Sequence, residues 1–167
     1  MRVRSTVGLA PLVVIVTLAT ASPSLALQQD IERGNLAGIR EVNIVVEDVA
    51  EEPEAAGLIP RTLLRAAERQ LEARGVRQGS SQQGAGLYIN VATHRGSTGL
   101  YAYYARVSVQ QMATIEGNQL RALVDTWDMA SLGAVGEANL SEVEQVVVQL
   151  VDLFCDDHFE VNAPPGR

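Results

Sequence analysis

The hydrophobic pattern of this chain changes period several times, and each change marks an element. Val42, Ile44 and Val46 alternate with Asn43 and Glu47 within Arg40–Glu47. A period of two places successive side chains on opposite faces and predicts a first strand. From Leu58 to Arg74 the apolar positions Leu63, Leu64, Ala67 and Leu71 fall on one helical face. Pro60 suits the first turn of that helix and Gly75 the position just past its end. Glu68 and Glu72 lie at helical spacings from Arg65 and Arg69, within reach for pairing. Three further alternating stretches follow: Leu87–Arg95, Leu100–Ala113 and Leu120–Met129. The turn segments Gly96-Ser97-Thr98-Gly99 and Glu116-Gly117-Asn118-Gln119 separate them, which predicts a meander of two hairpins. Val143, Val147, Leu150, Val151 and Phe154 form the apolar stripe of a last helix, starting near Ser141 and ending near His158. Ser141 and Glu144 match the Ser-x-x-Glu pattern that satisfies free amides at a helix start.

Between these elements the chain reads as connections. Asp48–Gly57 is acidic and predicts a solvated loop. Gln78–Gly86 is rich in Gly, Ser and Gln, and Ser131–Ala138 is a Gly-containing connection. The order strand, helix, three strands, helix predicts an α+β fold. It is a two-layer sandwich with a four-stranded, mostly antiparallel sheet (βαβββα) and both helices on one face. This order resembles the small strand–helix–meander–helix domains of bacterial periplasmic accessory proteins, such as the amino-terminal domain of the translocation protein TolB. The resemblance rests on the order of elements alone, contains no specific motif and brings no site residue with it.

The two faces of the expected sheet differ. Val42, Ile44, Val46, Leu87, Ile89, Val91, Tyr103, Ala105, Val107, Val109, Leu120, Ala122 and Val124 should meet the helices. The opposite set combines Asn43, Glu47, Tyr88, Asn90, His94, Tyr104, Arg106, Ser108, Gln110, Arg121, Asp125 and Trp127. An antiparallel sheet can leave one face in water. Tyr, Trp and Arg are the side chains that carry most binding energy at protein interfaces. Tyr88, Asn90, His94, Tyr104, Arg106, Arg121, Asp125 and Trp127 are therefore the candidate partner-binding residues. The same residues also suit plain cross-strand packing.

The start of the chain alters the picture of where such a surface would work. Arg2 and Arg4 precede an apolar stretch from Val7 to Ala21, followed by Ser22-Pro23-Ser24. This order predicts a cleavable secretory signal, cut after Ala26 or alternatively after Ala21. The stretch is shorter than the ~20 apolar residues of a membrane span and contains Pro11. There is no cysteine at the cut to accept a lipid, and Arg2 and Arg4 are not the adjacent pair of a twin-arginine signal. The expectation is export by the general secretory route to the periplasm, or alternatively to the extracellular medium, with no direct lipid anchor. The expected organisation is a signal at 1–26, an N-terminal extension at 27–39, one α+β domain at 40–160 and a tail at 161–167.

Removing residues 1–26 from the 167 leaves 141, enough for one domain with its own core. It also takes away two Arg and no acid, so the net charge moves from −7 to −9. A surface of that sign opposes nucleic acid and anionic lipid as partners. All 13 basic residues are Arg, which excludes lysine chemistry and fits a bacterial source with a GC-rich genome. The single Cys155 allows no intramolecular disulfide and falls in an apolar helical stretch, so it is expected to be buried and inert.

Candidate chemistry is sparse. Asp152, Asp156, Asp157 and His158 crowd the end of the last helix, an arrangement read as a solvated turn rather than a metal centre. Cys155 and His158 lack an orienting third group, and Gly84 to Gly86 precedes a strand, which is wrong for a nucleotide loop. His94, Arg106 and Asp125 could form an acid–base–cation site, or a surface ion network. No cofactor is expected. Three readings of function follow. The first is a non-catalytic envelope protein that binds a protein partner through the open sheet face. The second is a small-molecule or peptide carrier using that face or a sheet–helix pocket. The third is an enzyme centred on His94, Arg106 and Asp125.

Overall fold

A computed structural model describes residues 23–79 and 84–162, with side chains from Leu27 onward. The predicted export signal lies outside the described residues, apart from the backbone of 23–26. So do residues 80–83 of the predicted Gln78–Gly86 loop and all but the first two residues of the predicted tail at 161–167.

The elements run α1 Pro23–Gly34, β1 Glu41–Val46, α2 Glu51–Ala55, α3 Pro60–Arg74, β2 Arg77–Gln78, β3 Ala85–Arg95, β4 Leu100–Thr114, β5 Arg121–Gly136 and α4 Val143–Asn162. A 3-10 turn, Glu137–Glu142, leads into α4. The fold is α+β, as the alternation implied, but the sheet has five strands in the order β2-β1-β3-β4-β5. β3, β4 and β5 form the antiparallel meander, whereas β1 runs parallel to both β2 and β3. The expected four mostly antiparallel strands and two helices are corrected in these details. β2 has two residues, too few for a period to show.

Three other boundaries move. The predicted acidic loop contains α2, with Val49 and Pro53 buried beneath its exposed acids. The predicted connection Ser131–Ala138 is mostly strand, because β5 continues to Gly136. Ser141 falls inside the 3-10 turn, and Glu144 pairs with Arg69 (3.5 Å) instead of closing back on the helix start. Arg65 forms no ion pair with Glu68 or Glu72. The α3 end is as expected: Gly75 takes the left-handed conformation (φ 78°), its N–H donates to the Glu72 carbonyl (3.0 Å), and the Val76 N–H donates to the Leu71 carbonyl (2.9 Å).

The core lies between the sheet and α3 and α4. Val42, Leu87, Ile89, Val91, Ala105, Val107 and Val109 meet Leu63, Ala67, Leu71, Val147, Leu150, Val151 and Phe154. Residues 27–39 are integral to this body. Leu36 is fully buried, Arg33 Nε donates to Asp157 Oδ1 (2.9 Å), and Asn162 Nδ2 donates to the Leu36 carbonyl (2.9 Å). Leu120, expected on the helix-facing set, lies in the β4–β5 turn and is exposed.

Candidate functional site

The strand register sorts the open face into rows. Val45, Tyr88, Ser108 and Asp128 form one row; Asn90, Arg106 and Ala130 form the next. Ala92, Tyr104 and Leu132 follow, then His94, Ala102 and Ala134. The face therefore has a polar half around Arg106 and an apolar half around Tyr104.

A bulge in β5 creates the polar half. Val109 pairs with Trp127 but Gln110 pairs with Asp125, so Thr126 is an extra residue between them. Asp125 and Asp128 are three apart and would sit on opposite faces of a regular strand. The extra residue places both on the open face. Arg106 then spans them: Nε donates to Asp128 (3.1 Å) and Nη2 to Asp125 (2.8 Å). The hydrogen bond that Arg106 donates to Asp128 is the largest cause of its raised guanidinium pKa. Ser108 Oγ lies 3.3 Å from Asp125 Oδ1 and is covered by this cluster. Just past the end of β1, Glu47 accepts from Asn90 Nδ2 and raises the Tyr88 hydroxyl pKa through its hydrogen bond.

The same bulge overturns one expectation. Trp127 is not on the open face; it is 2% exposed and packs edge-on against Phe154 with ring centroids 5.5 Å apart. Its indole N–H donates to Asp157 Oδ2 (2.9 Å). Strict alternation from Asp125 put it on the wrong side, because one inserted residue reverses every later position.

The apolar half was only partly foreseen. Tyr104 is 40% and Leu132 79% exposed, and with Ala92, Thr93, His94, Ala102 and Tyr103 they line a shallow cavity of about 220 Å³. Val45, Met112 and Leu123 also expose apolar side chains on this face. Asp128 and Leu132 carry no signal in the sequence, the first because the bulge leaves none and the second because the Gly and Ala residues of Ser131–Ala138 do not mark a strand. Tyr88, Asn90, His94, Tyr104, Arg106, Arg121 and Asp125 do lie on the open face, Arg121 at its far end opposite Thr114.

The structure joins Arg106 to Asp125 but not to His94. His94 is opposite Ala102, four residues along β3 from Asn90, the residue opposite Arg106. That separation is about 13 Å at ~3.3 Å per residue. The acid cluster of α4 is likewise taken up by arginines: Arg74 binds both Asp152 and Asp156, and Arg33 binds Asp157. His158 is buried with Nε2 at the Ile39 carbonyl (2.9 Å), and Cys155 is fully buried without a His partner. Among the described residues no group of three or more His, Cys, Asp or Glu is arranged to hold a metal ion, and no helix is long and apolar enough to cross a membrane.

No protein-family model matches the chain, and no curated protein does. Among solved structures, one similar chain is a minor lipoprotein from Acinetobacter baumannii, known from a crystal structure. It is 11% identical, with a TM-score of 0.34, and the match covers 74% of this chain and 93% of that one.

Proposed function

We propose that this chain is an exported, non-catalytic binding module of the cell envelope that contacts a protein partner through the open face of its sheet. The observation that carries this reading is the row Ala92–Tyr104–Leu132, apolar and exposed, beside the charged cluster of Arg106, Asp125 and Asp128. An apolar patch rimmed by polar groups on a folded surface marks an interaction site. The export part rests on the three-part start of the sequence. The face suits a protein better than a small ligand. Its cavity of about 220 Å³ is shallow, below the ~300–1,000 Å³ in which small ligands are enclosed.

The test is affinity capture from envelope extract of the source cell, with Tyr104→Ala and Tyr104→Glu beside an Arg61→Ala control on α3. Tyr104 substitution should weaken capture about tenfold or more, the effect of losing an aromatic anchor, while the control retains the partner. Equal capture by all variants would remove the open face as the contact surface.

A further inference from the structure

Among the described residues the sheet has one long edge that no strand pairs with. β5 is an outermost strand of 16 residues, while the other outermost strand, β2, has two. A free strand edge offers unpaired N–H and C=O groups to another chain, and proteins blunt it with charge, bulges or cover. β5 is blunted only in its first half. That half carries Arg121, Asp125, the bulge and Asp128, and Asn35 Nδ2 caps the Thr126 carbonyl (2.9 Å). The second half, Ala130–Gly136, reads Ala-Ser-Leu-Gly-Ala-Val-Gly and holds no charge.

The direction of its backbone groups follows from the ladder. The Gly96 N–H donates to the Leu100 carbonyl (2.8 Å), so Leu100 faces β3 and alternate residues of β4 face β5. Tyr103 is one of these, and it pairs with Gly133. Gly133 therefore points inward, and Ala130, Leu132 and Ala134 point their N–H and C=O groups outward. No described residue hydrogen-bonds those outward groups.

We infer that β5 pairs with β5 of a second copy of this chain, antiparallel, with the two Leu132 residues opposite each other across a two-fold axis. The register is self-complementary. Ala130 meets Ala134 of the other copy, Ser131 meets Gly133, and every outward donor finds an acceptor. The acids that flank the segment are already matched within their own chain: Asp128 is held by Arg106 (3.1 Å) and Glu137 by Arg95 (2.8 Å). The row Ala92–Tyr104–Leu132 then runs unbroken from one sheet into the next, and Leu132, 79% exposed in one chain, gains a partner.

Sedimentation equilibrium of the purified protein tests this, with two variants. Ala134→Pro removes an outward N–H that the chain's own ladder does not use. It should raise the dimer Kd by about tenfold or more, since each blocked pair is lost on both sides of the axis. Leu132→Cys should form a disulfide-linked dimer under mild oxidation, because paired residues lie ~5.5 Å apart, within disulfide reach. Leu153→Cys, 44% exposed on α4, should not. Circular dichroism establishes that each variant is folded, and Leu132→Lys, at a solvent-facing position, replaces Ala134→Pro if the proline disturbs the strand. A protein that stays monomeric at all concentrations overturns the inference and leaves the edge to another occupant. So does a dimer that is indifferent to the edge variants and gives no Leu132→Cys cross-link. The inference concerns the sheet edge and goes beyond the partner reading of the face: Ala134→Pro probes one and Tyr104→Ala the other.

Discussion

Trp127 fills the space between β5 and Phe154 while giving its one polar atom to Asp157. Two substitutions separate these roles. Trp127→Ala should cost about 3–5 kcal/mol in urea unfolding, the range for deleting a buried aromatic. Trp127→Phe should cost about 1–3 kcal/mol, because it keeps most of the packing and loses a hydrogen bond to a charged group. Trp127 is the sole Trp, so its emission should shift to the red on unfolding and report the transition directly. Cys155 makes a second point at this scale. Burial pushes its thiol up to about 11 from 9.0. The unfolded chain therefore releases this proton first as pH rises, and stability falls between pH 9 and 11. Cys155→Ala should flatten the decline of unfolding free energy over that window and leave its slope below pH 9 unchanged. The native thiol should also react with a maleimide far more slowly at pH 8 than the thiol in denaturant.

Single elements record how far the local pattern of a sequence reaches. α3 was legible because its apolar spacing, Pro60 and Gly75 all agree, and its bounds moved by two residues at one end. β5 was misread because alternation assumes that no residue is inserted. The bulge at Thr126 leaves no mark in the pattern Asp125-Thr126-Trp127-Asp128, where either parity places some polar residues outward. Its continuation through Ala130–Gly136 was missed because Ala, Gly and Ser are poor strand formers taken one by one. The bulge makes an unusual prediction about deletions. Removing Thr126 restores a regular ladder with Val109–Trp127 and Gln110–Asp125 still paired, so every side chain keeps its face. The loss is confined to the hydrogen bonds of Thr126 with Gln111, Val109 and Asn35 and should be about 1–3 kcal/mol. Removing Ala130 instead reverses the faces of the residues on one side of it. A cooperative urea transition should survive the first deletion and disappear with the second; equal behaviour of the two would contradict the register.

For the whole molecule, the α+β class was readable from the change of period along the chain, but the place of β1 was not. Its parallel pairing with β2 and β3 is set by how α3 crosses the sheet between them, and nothing within Glu41–Val46 encodes a neighbour. Residues 27–39 likewise resemble an extension in sequence, since a fully buried Leu36 looks there like any single leucine. Leu36→Ala should cost about 2–5 kcal/mol in the same unfolding assay, and a cost below 1 kcal/mol would mean that the segment is dispensable. The bonds Arg33–Asp157, Gly38–Asn162 and Asn162–Leu36 hold the beginning of the described chain against its end. The fold should therefore tolerate a different order of its elements along the chain. A flexible linker of about ten residues from Asn162 back to the start of α1 spans that helix, ~18 Å long for 12 residues. The chain could then be reopened at the exposed turn Glu116–Gln119. Such a circular permutant should show the same far-ultraviolet spectrum and the same buried-indole emission, with its new ends at the tip of the β4–β5 hairpin.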